Sequence, residues 1–363
     1  MEGGDLLATG SSSCIFRPSL PCRGSNKKPS KGLVSKIVYG SKSDRYYDKE
    51  KLMAKLIKSI SGYKKWCIIY DNFCLPPVYD NIFKYDKTIL ECKDRSYDDI
   101  FDETSKMMVG KYGGETFEDY FIEHTLFDRK SKPFEKNMYK LLLKMKQLFI
   151  GLKEIYHNKL IHLDIKYNNI VLDGSQFKYI DFGLSGELSD LTHFENRSLS
   201  EFEPKKRVYI WYPYEYLYAF IDPYEKVNEL DKFNSSSNYR KHYKDTVDVH
   251  HLFDVNVNSH IKELLSSNKD YTDKEYRELI SMIDVYGLGI IIPFLFVEYE
   301  LTKHIDKSLF LTDLFKLFKS MCKVDHKQRM NPDDCLKEYN KLVKKYSHLT
   351  KSKKGKKTKR KLK

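Results

Sequence analysis

The residues best suited to chemistry fall in one short stretch, His162-Leu-Asp164-Ile-Lys166-Tyr-Asn-Asn169, followed twelve residues later by Asp181-Phe-Gly183. Two carboxylates, an amide and an ammonium converge there. Transfer of a phosphoryl group asks little covalent work of a protein. It needs an in-line hydroxyl, metal ions bridging phosphate oxygens, and positive charge where negative charge accumulates. Asp164 is suited to orient an acceptor hydroxyl and take its proton, and Lys166 to stabilise the group in transit. Asn169 and Asp181 offer hard oxygen ligands for Mg²⁺. The competing reading is an ordinary loop holding a strand-end Asp and a satisfied Asn.

The string H-x-D-[IL]-K-x-x-N followed by D-F-G resembles the catalytic and metal-binding loops of eukaryotic-type protein kinases. The resemblance implies an α+β fold of two lobes, a small β-rich N-lobe and a larger helical C-lobe, with ATP and Mg²⁺ in the cleft. Lys166, two residues after the base, looks like the Ser/Thr class, so protein Ser/Thr hydroxyls are the expected acceptors. Lys36, in Leu33-Val-Ser-Lys36-Ile37, occupies the place of the family's third-strand lysine, which pairs with the α- and β-phosphates. Its expected helix partner is Glu50, with Asp48 close enough to compete. The phosphate-covering loop would be Ala8, Thr9, Gly10, Ser11, Ser12, Ser13 and Ile15, where only the middle glycine of G-x-G-x-x-G survives and Ser13 stands in for the third. Met107 to Glu115 is similar to the interlobe hinge whose backbone holds the adenine edge. This makes Val109, Lys111 and Glu115 nucleotide-binding candidates and Met107 or Met108 the gatekeeper. Pro213-Tyr-Glu215 looks like the triplet closing the activation segment, with Arg329 as the partner of Glu215. Asp284 looks like the anchor of the catalytic-loop backbone.

Two departures stand out. Leu163 replaces the arginine that often precedes the catalytic aspartate and answers a phosphorylated activation segment, so activity is expected without phosphorylation there; Lys205, Lys206 and Arg207 are the alternative phosphate clamp. Glu215 to Asp284 is also longer than the family's usual connection. The rival readings are a pseudokinase scaffold, disfavoured because Lys36, Asp164, Asn169 and Asp181 are all present, and a small-molecule or lipid kinase, against which Lys166 and Arg329 argue. The Lys-, Tyr- and Asn-rich composition and the abbreviated glycine loop resemble Ser/Thr kinases of large DNA viruses.

The elements that must position these groups can be read from spacing. Residues 6–16 read as strand, turn, strand and 32–39 as another strand. Asp48 to Ile60 and Asn137 to His157 carry apolar residues at helical spacing, and 160–181 alternates short apolar strands with polar loops. Helices resume from Asp284 to about His348. Residues 1–111 are expected to form the N-lobe and 112–348 the C-lobe, with 222–281 a mostly exposed insertion and 349–363 a disordered basic tail. The apolar run Val285 to Val297 falls short of the ~20 residues that span a bilayer and is expected as a core helix.

With 363 residues, 41% hydrophobic and 32% charged, the chain is neither a peptide nor disordered throughout. Of its net charge of +13, nine basic residues lie in Lys351 to Lys363, leaving +4 for the rest. A general nucleic-acid-binding surface is therefore not implied, and polyanion contact is expected of the tail alone. Seven cysteines without a C-x-x-C pair argue against a disulfide framework or zinc ribbon. Met1-Glu-Gly-Gly-Asp lacks the basic and apolar regions of a signal peptide. An intracellular site, cytoplasmic or nuclear, and no membrane association are the expectations, with a host cell or virion if the source is viral.

Overall fold

The computed structural model describes residues 5–10, 13–26, 30–40, 43–77, 92, 104–126, 134–200, 209–267 and 271–350. The expected positions Ser11 and Ser12, the cluster at 205–207 and the tail 351–363 lie outside the described residues.

The N-terminal lobe is an antiparallel sheet of order β1-β2-β3-β5-β4, built from β1 (Asp5–Thr9), β2 (Ser13–Arg17), β3 (Leu33–Val38), β4 (Tyr70–Cys74) and β5 (Lys106–Lys111). Register sorts its side chains. Ile15 faces Lys36 and Lys36 faces Met108 across neighbouring strands, so these three share a face. Cys14, Phe16, Ile37, Met107 and Val109 take the other face and form a separate small core. Helix α1 (Ser43–Ser59) starts earlier than its apolar spacing predicts and lies across β3, β4 and β5, sending Met53, Ala54 and Ile57 inward.

The larger lobe is helical. Short α2 (Phe117–Tyr120) begins at a Thr116–Asp119 capping box and continues into a wider π-type turn over Phe121–Leu126. The stripe read as one helix from Asn137 is two, α3 (Phe134–Lys144) and α4 (Lys146–His157). Met145 breaks the regular ladder, its N–H reaching back only to Leu142 O at 3.0 Å. Two-stranded pairs β6 (Leu160–Ile161) with β9 (Gly186–Glu187), and β7 (Ile170–Asp173) with β8 (Gln176–Tyr179), carry the polar loops between them. Helix α5 (Leu191–Leu199) and α6 (Tyr214–Ala219) follow.

The segment 222–281, expected to be mostly exposed, instead folds into α7 (Pro223–Ser235), α8 (Ser237–Arg240), α9 (Lys244–His251), α10 (Val257–Ser266) and α11 (Asp273–Ile280). Phe233, Tyr243, Val257, Ile261, Leu265 and Leu279 join α6 in a second core. Its polar composition misled because some of its polar side chains are drawn inward with partners: the buried Tyr243 bonds Tyr218 of α6, and the half-buried Tyr239 bonds Glu229.

Helix α12 (Ile283–Glu298) is buried on nearly every side, then α13 (Leu309–Met321) and α14 (Pro332–Lys345) complete the lobe. The stretch Asp273–Glu298 is long and apolar enough to cross a membrane, but its most apolar window is 83% buried inside the fold. Gly289 has no room for a side chain: a Cβ there would lie 2.7 Å from Met321 Cβ. At Gly287 a Cβ would come within 3.1 Å of the Ile165 carbonyl oxygen, so α12 seats the catalytic loop at close quarters.

Four cysteines correct the expectation of no disulfides. Cys14 pairs with Cys92 and Cys22 with Cys74, at Cα separations of 6.1 and 5.8 Å. The partners lie 78 and 52 residues apart in sequence, so local spacing carries no trace of a pairing that the sheet creates.

Arg329 joins α6 to the end of the molecule. Its guanidinium donates to Glu215, to the Lys323 carbonyl and to the Met282 carbonyl, all within the interior. Removing one partner of such a pair strands the other charge. Arg329→Met should therefore lower the unfolding free energy by about 3–5 kcal/mol, measured by urea denaturation, and Glu215→Gln in the same chain should recover part of the loss. A cost within the ~0–1 kcal/mol of an exposed pair would contradict this reading.

Candidate active site

The catalytic loop begins where β6 ends. Leu163 adopts φ +61°, a left-handed conformation that costs a leucine about 1–2 kcal/mol. The buried Asp284 carboxylate holds it there, accepting the His162 N–H at 2.6 Å and the Leu163 N–H at 2.9 Å. Burial raises the Asp284 pKa, and the two N–H donors oppose that rise. Charge-assisted bonds contribute about 1.5–3 kcal/mol each, enough to offset the strained turn.

That turn delivers Asp164 into the cleft. Lys166 Nζ donates to both its carboxylate oxygens, at 3.1 and 3.0 Å. Asn169 Nδ2 donates to the Asp164 carbonyl at 2.9 Å and to Oδ2 at 2.7 Å. With its amide nitrogen so committed, Asn169 retains its amide oxygen as an acceptor. The backbone of Asn169 also accepts the Ile180 N–H at 3.0 Å, which ties it to the strand end that carries Asp181.

Asp181 likewise has a left-handed backbone, φ +63°. Its neighbour Phe182 is buried against the His162 ring, centroids 4.5 Å apart, while His162 bonds the Ile180 carbonyl at 3.1 Å. Phe182 thus anchors the turn and leaves the Asp181 carboxylate one-third exposed, facing Lys36 Nζ at 2.7 Å. Burial would lower the Lys36 pKa, but Asp181, Tyr70 and Glu50 together raise it above its ordinary value, keeping it an ammonium. Burial pushes the Asp181 carboxyl up, and Lys36 more than offsets this, so the pKa lies below normal.

The expected Lys36–Glu50 ion pair is therefore replaced by Lys36–Asp181. Glu50 is buried beside them while Asp48 is exposed, which decides between the two helix acids. The Glu50 carboxyl reaches the Asp181 carboxyl and the Phe182 N–H, and its Oε1 has no partner. A carboxyl set against a carboxylate in a dry site keeps its proton.

Two adjoining cavities occupy the cleft. One of about 410 Å³ lies under Leu7, Ala8, Ile15 and Val34, over Val171 and Ile180, and beside the chain from Gly110 to Thr116. The other, of about 320 Å³, is lined by Gly10, Ser13, Lys36, Glu50, Met108, Asp164, Lys166 and Asp181. The structure thus brings most of the expected residues together, with Met108 rather than Met107 on the cleft face. Thr9 lines neither cavity. Val109 turns its side chain into the core behind the sheet, and Lys111 is drawn to Asp173 at 2.6 Å. Only the backbone at these two hinge positions is left for a ligand. Glu115 lines the larger cavity, and its carbonyl accepts the Leu172 N–H at 2.9 Å. Two glycines allow this approach: a Cβ on Gly114, at φ +95°, would lie 2.3 Å from Leu172 O, and one on Gly113 2.3 Å from a Val171 methyl.

Asp181 lines both cavities, and Asn169, bonded to Asp164, offers a second hard oxygen although it lines neither cavity. This fits Mg²⁺, which favours few protein ligands and completes its shell with water and phosphate oxygens. The sequence reading passed over Tyr209 and Arg197, which line the smaller cavity. Neither lies in a local motif; both arrive through the fold of the activation segment.

Glu50 gives a pH test. Its pKa is raised, by burial first, from 4.5 to about 8. Between those values the folded chain holds a proton that the unfolded chain has released, so this contribution to stability falls as pH rises through the window. Glu50→Gln, which mimics the protonated acid, should flatten that part of the curve of thermal midpoint against pH. An unchanged slope would place the titration elsewhere.

Comparison with known proteins agrees with this geometry. Residues 96–202 match the family model of the protein kinase domain. The chain is 31% identical over 97 residues to the serine/threonine-protein kinase prpf4B of Dictyostelium discoideum, an alignment covering 26% of this chain and 12% of that protein. These matches lend no support to a viral source. Together with a five-stranded lobe seated on a helical one, the match over 96–202 supports a relationship to the eukaryotic-type protein kinase superfamily.

Proposed function

We propose that the chain transfers the γ-phosphoryl group of ATP to Ser and Thr hydroxyls of protein substrates. The observation that carries this reading is the meeting of Lys36, Asp164, Lys166 and Asp181 around one cavity, although Lys36 and Asp181 are 145 residues apart. The larger cavity suits a flat base between apolar walls, with polar backbone along one edge. Lys36 then faces phosphate oxygens, and Asp181 with Asn169 would hold Mg²⁺. A bound Mg²⁺ neutralises charge on the β- and γ-phosphate oxygens.

The chain's own groups do the rest. Asp164, held by Asn169, orients the acceptor hydroxyl and takes up its proton as the new P–O bond forms. Lys166 lies beside Asp164 and places positive charge where the transferring group passes. Ser/Thr preference is supported by Lys166 in the catalytic loop and by the alignment with the Dictyostelium protein. The tail 351–363 is proposed as a separate polyanion contact on the strength of its charge.

Asp164→Asn should cut turnover by about 10²–10⁴-fold with the fold intact, since it removes the base and little packing. Lys36→Met should cost at least ~10²-fold through lost positioning, and Asp181→Asn should weaken Mg²⁺-dependent nucleotide binding. A labelled-ATP assay offering generic protein acceptors beside simple alcohols and lipids checks the substrate class. Near-parental turnover in Asp164→Asn would sink the site assignment, and label on alcohols or lipids alone would sink the protein acceptor.

A further inference from the structure

Residues 1–308 hold 46 basic and 46 acidic residues, so the whole excess of charge lies beyond them: nine basic against five acidic in 309–350, and nine against none in 351–363. The expectation of polyanion contact by the tail alone thus leaves out the part of the chain just before it, which is basic as well. That part forms the packed pair α13 and α14. A cavity of about 350 Å³ on this pair is lined by Lys316, Lys341, Lys345, Asp313 and Glu338. Lys316 and Lys345 reach Asp313 at 3.1 and 2.6 Å, and Lys341 reaches Glu338 at 2.6 Å. The three lysine side chains are 60–71% exposed, against 23% for Asp313 and 40% for Glu338. A ligand therefore meets ammonium before carboxylate. Exposed ion pairs are weak, so an incoming phosphate can share these lysines. Lys337, Lys341 and Lys345 follow one another at four-residue spacing on α14, all exposed, and form one row toward the end from which the chain continues into the tail.

We propose that the α13–α14 groove binds the phosphate backbone of a nucleic-acid duplex, as one site continuous with the tail. The inference extends the polyanion reading of the tail and does not depend on the phosphotransfer reading. The groove lining has no aromatic ring to stack on a base and no arginine to grip a base edge. Lysine meets phosphate as a point charge, so the contact is to backbone and carries no sequence preference. A bilayer fits this face less well: the apolar lining residues Leu317 and Leu342 are buried and Met330 partly so, which leaves no apolar side chain projecting to insert. A duplex carries one negative charge per about 1.7 Å of its axis, a density that matches a lysine row followed by a tail of nine basic residues. Each lysine that meets a phosphate releases a counterion, so the number of contacts is read from the salt dependence of binding.

The test measures binding of the full chain to a short fluorescent DNA duplex by anisotropy over a range of salt concentrations. Changing Lys316, Lys341 and Lys345 together to Gln should shrink the slope of log affinity against log salt by about 2–3, at roughly 0.9 per lost contact. Changing the same three to Arg should preserve the slope. Glu338→Gln, which frees Lys341 and disturbs little packing, should tighten binding by about 2–5-fold. It keeps the proposal testable if the triple Gln chain fails to fold. An unchanged slope in the triple Gln chain, or no gain in Glu338→Gln, would overturn the groove, and loss of binding on deletion of 351–363 would then leave the tail reading standing. No binding of the duplex by the full chain at low salt would overturn both. Tighter binding to poly-glutamate or to phosphatidylserine vesicles than to the duplex would overturn the nucleic-acid assignment.

Discussion

The site depends on one buried carboxylate. Asp284, at the start of the most buried helix, accepts the backbone N–H groups of both His162 and Leu163 and holds the loop in a turn that leucine would otherwise avoid. Everything downstream inherits that orientation: Asp164 enters the cleft, Asn169 closes back on it, and Ile180 bonds to Asn169 before Asp181 turns toward Lys36. The loop therefore carries a catalytic arrangement without being regular structure. Its rigidity is borrowed from α12, whose Gly287 allows the helix to press against Ile165.

The two lobes meet through backbone as much as through side chains. Tyr179 N–H donates to the Trp66 carbonyl and its carbonyl accepts the Ile68 N–H, both at 2.9 Å, while the hinge packs Gly113 and Gly114 directly on β7. The larger cavity lies against that hinge, and the smaller one beyond it, around Lys36, Asp164 and Lys166. Charged side chains are concentrated around the smaller cavity, where Asp181 keeps a third of its side chain exposed, and apolar walls line the larger one.

The charges around the smaller cavity are balanced as a group. One ammonium, Lys36, serves Asp181 directly and faces Glu50, and the third group resolves the excess of negative charge by keeping its proton. A second ammonium, Lys166, is shared between Asp164 and the Tyr209 phenol. Each lysine holds a carboxylate in place. This economy follows from burial: charges taken from water must be paired or neutralised.

What the sequence determined by itself was local. The spacing of Asp164, Lys166, Asn169 and Asp181 specifies a loop and the strand pair that follows it, and the apolar run from Val285 to Val297, interrupted by Pro293, identifies a core helix. Those features are legible because backbone geometry repeats over a few residues. Tertiary structure alone decided the rest: the choice of Glu50 over Asp48, Asp181 as the partner of Lys36, the Cys14–Cys92 and Cys22–Cys74 pairs, the second core that 222–281 joins, and Tyr209 on Asp164. Each depends on which strand faces which, or on whether a polar group is stripped of water and forced to find a partner. Such long-range desolvation has no period along the chain, so composition read 222–281 as surface although Tyr243 and Phe233 of that segment are buried in a core.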